Sequence, residues 1–166
     1  MLNGYLRKLN EEYWEQALSD FYIQYQNAHN ACSAPFEGIK ELIAELKNRN
    51  ITAGLITGKG KRSCQITLEQ FDMENSFDFI ETGVPDRNIK PEALTVIRCK
   101  YNLLPCELVY IGDTVSDIVS CNQARVQCLS AGWAKSADIM QLREHNKGFV
   151  FPTVESLKEY LFPITV

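Results

Sequence analysis

Apolar residues over positions 9–27 fall on one side of a helical wheel. Leu9, Tyr13, Trp14, Ala17, Leu18, Phe21, Tyr22 and Tyr25 make a stripe, with Glu11, Glu12, Glu15 and Asp20 mostly opposite. The spacing predicts a long amphipathic helix with an aromatic face. Ser33-Ala34-Pro35 interrupts it, and Phe36, Ile39, Leu42, Ile43 and Leu46 then form a second helical stripe that runs out near Asn48-Arg49-Asn50.

Beyond that point the period changes. ITAGLIT, 51–57, is a short β-branched run closed by Gly58, and a polar helical segment at 62–71 leads to a second strand, FDFIET, at 77–82. A helix over about 91–101, the strand LVYIG at 108–112, a helix over about 116–124 and the strand VQCLSA at 126–131 follow. A helix at 136–144, a short strand in GFVF at 148–151 and a closing helix in VESLKEYL complete the chain. Strands that alternate with helices, and are apolar almost throughout, predict an α/β fold: a parallel sheet covered by helices on both faces.

Composition narrows this only a little. At 166 residues, 45% hydrophobic and 23% charged, the chain is sized for one domain with a real core. A net charge of -4, with basic residues dispersed except for GKGKR at 58–62, leaves no field suited to nucleic acid or an acidic membrane. The six cysteines include no C-x-x-C pair, which predicts reduced, mostly buried thiols and a cytoplasmic protein rather than a zinc or disulfide framework. No apolar run approaches the ~18 residues needed to span a bilayer, so a soluble protein is expected.

In a parallel α/β sheet ligands bind at the carboxyl ends of the strands. Thr57 and Gly58 follow the first strand, Gly112 and Asp113 the third, and Lys90 precedes the proline that starts a helix in IKPEAL. A threonine hydroxyl and free backbone N–H groups hold phosphate oxygens, a lysine neutralises them, and carboxylates hold a hard cation such as Mg²⁺. Asp113 and Asp117, four apart in YIGDTVSDI, share one helix face, one to ligate metal and one to position it or the lysine. Structural alternatives stay open: Thr57 as a turn cap, Lys90 as a surface lysine, Asp117 as an acid favoured in a first helical turn. GKGKRS is not a P-loop, because no glycine stands five residues ahead of a Gly-Lys-Ser/Thr unit. His29 and His145 are read as solvated or helix-end residues, and Trp133 as either packing or site-flanking.

LITGK with Thr57, NIKPEAL with Lys90 and YIGDTVSDI with Asp113 and Asp117 occur in the order and contexts of three motifs of the haloacid dehalogenase (HAD) superfamily. The chain resembles that superfamily over roughly 35–135, and within it the phosphoglycolate-phosphatase-like branch. The resemblance implies a three-layer α/β/α Rossmann-like core over 33–166 and, over 1–32, a remnant of a helical cap. It implies a Mg²⁺-dependent phosphatase of a small phosphorylated metabolite, with Thr57, Gly58 and Lys90 at the phosphate, Thr57 and Lys90 being catalytic, Asp113 on the metal and Asp117 behind it, out of direct contact with the ion.

The family's nucleophile and its acid–base partner belong to a D-x-D-x-T motif on a first strand, and that motif does not occur here. The aspartates are Asp20, Asp72, Asp78, Asp86, Asp113, Asp117 and Asp138, and no two stand two apart. The resemblance places the missing strand between those ending at Thr57 and Gly112. Either these two pair directly, or another segment fills the slot, or the chain folds poorly. A catalytically deficient phosphatase is expected; the alternative is a non-catalytic protein that binds phosphate or metal, or self-associates through the 9–27 helix.

Overall fold

The structure, a computed structural model, describes residues 11–32 and 34–163. Leu9 and Ser33 lie outside these residues, as do the side chains at 11, 12 and 30–32. In chain order the elements are α1 (Glu11–Cys32), α2 (Ile39–Asn48), β1 (Gly54–Thr57), α3 (Lys61–Gln70), β2 (Phe79–Thr82) and α4 (Lys90–Lys100). A 3-10 turn (Pro105–Glu107) precedes β3 (Val109–Gly112), α5 (Val115–Ala124), β4 (Gln127–Ala131), α6 (Ile139–His145), β5 (Val150–Phe151) and α7 (Val154–Leu161).

Side-chain alternation along β4 builds the layers, because successive residues of a strand point to opposite faces. Cys128 joins Ile118, Cys121, Leu94, Ile97 and Leu142 under α4, α5 and α6. Its neighbour Leu129 joins Leu42, Phe151, Val154 and Leu157 under α2 and α7. Helices therefore cover both faces of a parallel sheet, as expected. Leu129 is fully buried at the centre of the second cluster. Leu129→Ala is expected to destabilise the fold by about 3 kcal/mol, measured by chemical denaturation; a loss under about 1 kcal/mol would show that α2 and α7 do not close over that face.

Several strands are shorter than the sequence pattern suggests. Residues 51–53 are not part of β1 because Ala53 is held by Asp78: its N–H donates to Asp78 Oδ2 at 2.8 Å and its carbonyl accepts from the Asp78 N–H at 2.8 Å. The aromatic helix, expected over 9–27, continues to Cys32 and packs on α3.

The sheet is divided. β1 pairs in parallel with β2, Thr57 opposite Thr82, and β3-β4-β5 form a second parallel sheet with Gly112 opposite Ser130. Among the described residues β1 and β3 share no ladder, so of the three outcomes foreseen for them direct pairing does not occur. A cavity of about 420 Å³ lies between the sheets, walled by Leu55 and Thr57 of β1, Ile111 and Gly112 of β3, and Phe36 and Trp133. Ile111, in the middle of β3, is 37% exposed.

Candidate functional site

The loops after β1 and β2 are pressed together. The Gly83 N–H donates to the Lys59 carbonyl at 2.8 Å, and a Cβ on Gly83 would come within 2.3 Å of the Gly58 carbonyl oxygen. Thr57 Oγ1 accepts from the Lys59 N–H at 3.2 Å, which leaves the threonine's own hydrogen free to donate toward the cavity it lines.

After β3 the backbone turns around Asp117. Its Oδ2 accepts from the Asp113 N–H (3.2 Å), the Thr114 N–H (3.1 Å) and the Thr114 hydroxyl (2.7 Å). Thr114 in turn accepts from the Asp117 N–H, completing a capping box at the start of α5. The other carboxylate oxygen, Oδ1, accepts from Lys90 Nζ. Gly112 permits the tuck, since a Cβ there would come 2.6 Å from Asp117 Cβ. Burial works against charge on Asp117, but the hydrogen bonds from Lys90 and Thr114 and the ammonium's field outweigh it and hold the carboxyl below its ordinary range.

Lys90 is set by its own end of α4. Asn88 Oδ1 accepts from the Lys90 N–H at 3.0 Å, while Asn88 Nδ2 donates to Ser120 Oγ on α5 at 3.0 Å. The Lys90 ammonium also stands 5.9 Å from the centre of the Tyr110 ring. One of its three hydrogens goes to Asp117, so the others remain for a ligand.

Asp113 faces the cavity, with Oδ2 accepting from Ser136 Oγ at 2.7 Å and no cation beside it among the described residues. Among the described residues that line the cavity it is the one carboxylate, Asp117 being committed to Lys90 and Thr114. Among the described residues no three His, Cys, Asp or Glu side chains cluster to hold an ion. By themselves the described residues therefore do not complete the ligand set of a hard divalent cation; Asp113 offers one carboxylate.

The structure thus joins Lys90, Asp117 and the Asp113 backbone in one hydrogen-bonded unit, and brings Thr57 and Asp113 to one cavity. Lys90 reaches that edge through Asp117 and is not itself part of the cavity wall. Sequence reading missed Thr114, Ser136 and Asn88, although Thr-x-x-Asp before an apolar run and Asn two residues ahead of a helix start are readable signals. Trp133 lines the cavity, and His145 ends α6 in solvent. His29 lies in the last turn of α1, as its helix-end reading has it, but is not simply solvated: its Nδ1 is buried without a partner among the described residues and its Nε2 stands 3.2 Å from Thr67 Oγ1.

A divided parallel sheet with a Thr, a Lys and two Asp gathered at its carboxyl edge defines an α/β protein with its candidate site at the strand ends. The family profile for haloacid dehalogenase-like hydrolases matches residues 1–131, and the chain belongs to that family. It is 28% identical over 117 residues to the phosphoglycolate phosphatase of Pseudomonas putida, covering 69% of this chain and 43% of that one. It is 23% identical over 152 residues to a pyrophosphatase of Oceanobacillus iheyensis, covering 90% of this chain and 71% of that one. The structure superposes on a haloacid dehalogenase-like hydrolase of Streptococcus pneumoniae with a TM-score of 0.73 at 18% identity, over 96% of this chain and 75% of that one. The chain spans about half the length of the phosphoglycolate phosphatases it matches. No helix among the described residues is long and apolar enough to cross a membrane.

Proposed function

We propose that the edge formed by Thr57, Gly58, Lys90, Asp113 and Asp117 is the phosphate-handling half of a phosphatase for a small phosphate monoester, phosphoglycolate-like in kind. The observation that carries this reading is the Lys90–Asp117–Asp113 unit standing at the strand ends beside the Thr57 hydroxyl. Thr57 and the backbone at Gly58 would hold phosphate oxygens, Lys90 would neutralise them, and Asp117 would fix Lys90 and the turn that carries Asp113.

Mg²⁺ is the ion such an edge would take, with Asp113 as one carboxylate and another required; bound, it would screen the phosphate charge. Apart from Asp113, read here as the metal carboxylate, no aspartate lines the cavity between β1 and β3, where a nucleophile would be presented. This chain on its own is therefore expected to turn over little or nothing. Phosphate bound at the edge should perturb the amides of Thr57, Gly58 and Asp113, and Thr57→Val should weaken binding roughly fivefold to tenfold without lowering Tm. Those amides unmoved by millimolar phosphate would sink the reading.

The second reading is a non-catalytic protein that binds phosphate or self-associates. Tyr13 and Ile23 of α1 are 60% and 53% exposed, which favours a role for that helix in association. A monomer at micromolar concentration in sedimentation would count against it.

A further inference from the structure

The proposed phosphate edge leaves one cation of the cavity wall unused. Lys59 lines the cavity with Thr57. Although the residue is exposed, its ammonium folds back onto the protein: it donates to Thr67 Oγ1 at 2.9 Å and lies 5.7 Å from the centre of the Tyr25 ring. Among the described residues no carboxylate stands within ion-pair distance of it.

The group that holds Lys59 is neutral. Thr67 spends its own hydrogen on the Ser63 carbonyl at 3.0 Å, so its oxygen is left to accept. Around that oxygen stand Lys59 Nζ at 2.9 Å, His29 Nε2 at 3.2 Å and the Tyr25 hydroxyl at 3.4 Å. Burial, and then the Lys59 charge, hold His29 below its ordinary protonation range. The cluster thus offers Lys59 hydrogen-bonding and cation–π contacts but no counter-charge. Holding a lysine in one geometry costs up to ~2 kcal/mol of side-chain entropy, and three side chains from α1 and α3 converge to do it. The piece that would balance this arrangement is an anion in the cavity.

We infer that Lys59 is the second anion point of the site: it receives an acidic group of the same small ligand whose phosphate sits at Thr57 and Lys90, while Tyr25, His29 and Thr67 position it. This rests on the phosphate reading above. It gives α1 a share in selectivity through Lys59, with α3 as the platform between them.

The test titrates the full 166-residue chain with phosphoglycolate and with ethyl phosphate, which lacks the second acid, reading affinities from amide shifts. The wild-type protein is expected to bind phosphoglycolate roughly tenfold more tightly. Lys59→Gln should bring the ratio to about one, Lys59→Arg should retain most of it, and Thr67→Val should give a ratio between. Lys59→Gln weakening both ligands alike would place Lys59 at the phosphate instead and overturn the inference. A wild-type ratio of one, with ethyl phosphate still shifting Thr57 and Gly58, would overturn it while leaving the phosphate reading standing. No shift at Thr57 and Gly58 with either ligand would remove both.

Discussion

Asp117→Ala is expected to destabilise the fold by roughly 3 kcal/mol, a drop in Tm of roughly 10 °C. Asp117 is only 1% exposed, yet it is charged, and both its oxygens are spent. Truncation leaves the Lys90 ammonium, 23% exposed, without its counter-ion, and strips the Asp113 and Thr114 N–H groups of their acceptor. It also removes half of the cap of α5. The pH dependence has a definite sign. Because the folded pKa lies below the unfolded one, the stabilisation is fully present above about pH 3.9 and is lost as pH falls through the lower folded value. The gap between wild type and variant should therefore hold from neutral pH to about pH 4 and close only below it. A loss under about 1 kcal/mol, or a gap that closes near pH 6, would mean that the Lys90–Asp117 pair is not a fixed part of the native edge.

How far this was legible in the sequence depends on how local each signal is. The closing helix 154–161 stands where its amphipathic pattern places it, because Thr153 and Ser156 cap it within four residues. Thr57 and Asp113 were legible as strand ends, since a residue just after an apolar run has little choice of position. The Asp113–Asp117 spacing was legible too, including a supporting role for one acid toward metal or lysine; that Asp117 serves Lys90 follows from α4 packing on α5, tied by Asn88 to Ser120. The Lys59 cluster was not legible at all. His29 and Tyr25 stand 38 and 42 residues from Thr67 along the chain, and they meet it only because α1 lies across α3. His29, four residues beyond Tyr25 and past the end of the predicted stripe, gave no sign that its ring would turn inward. The length of β1 was overestimated for a similar reason: Ile51 and Thr52 suit a strand, but a carboxylate 25 residues downstream of Ala53 takes the backbone group that a ladder would need.

Filling the slot between β1 and β3 carries the largest expected effect on function. Both strands run parallel, both end at the proposed phosphate edge, and the edges they turn toward each other make no ladder among the described residues. Unpaired backbone groups and a half-exposed Ile111 beside an apolar cavity are what an added extended strand would satisfy. Entering parallel to its neighbours, such a strand would deliver its carboxyl end between Thr57 and Asp113. A chain given, ahead of residue 1, the first strand and cap segment of a family phosphatase with its D-x-D-x-T motif is expected to release phosphate from phosphoglycolate at least ~10³-fold faster than the 166-residue chain. Amide exchange at 55–57 and 109–112 should slow in the same protein, because those groups would gain partners. Asp113→Asn should abolish the gained activity, as the loss of a metal carboxylate at that edge requires. If exchange slows but no phosphate is released, the slot accepts a strand and the edge is not a catalytic one; if release survives Asp113→Asn, the metal has been assigned to the wrong carboxylate.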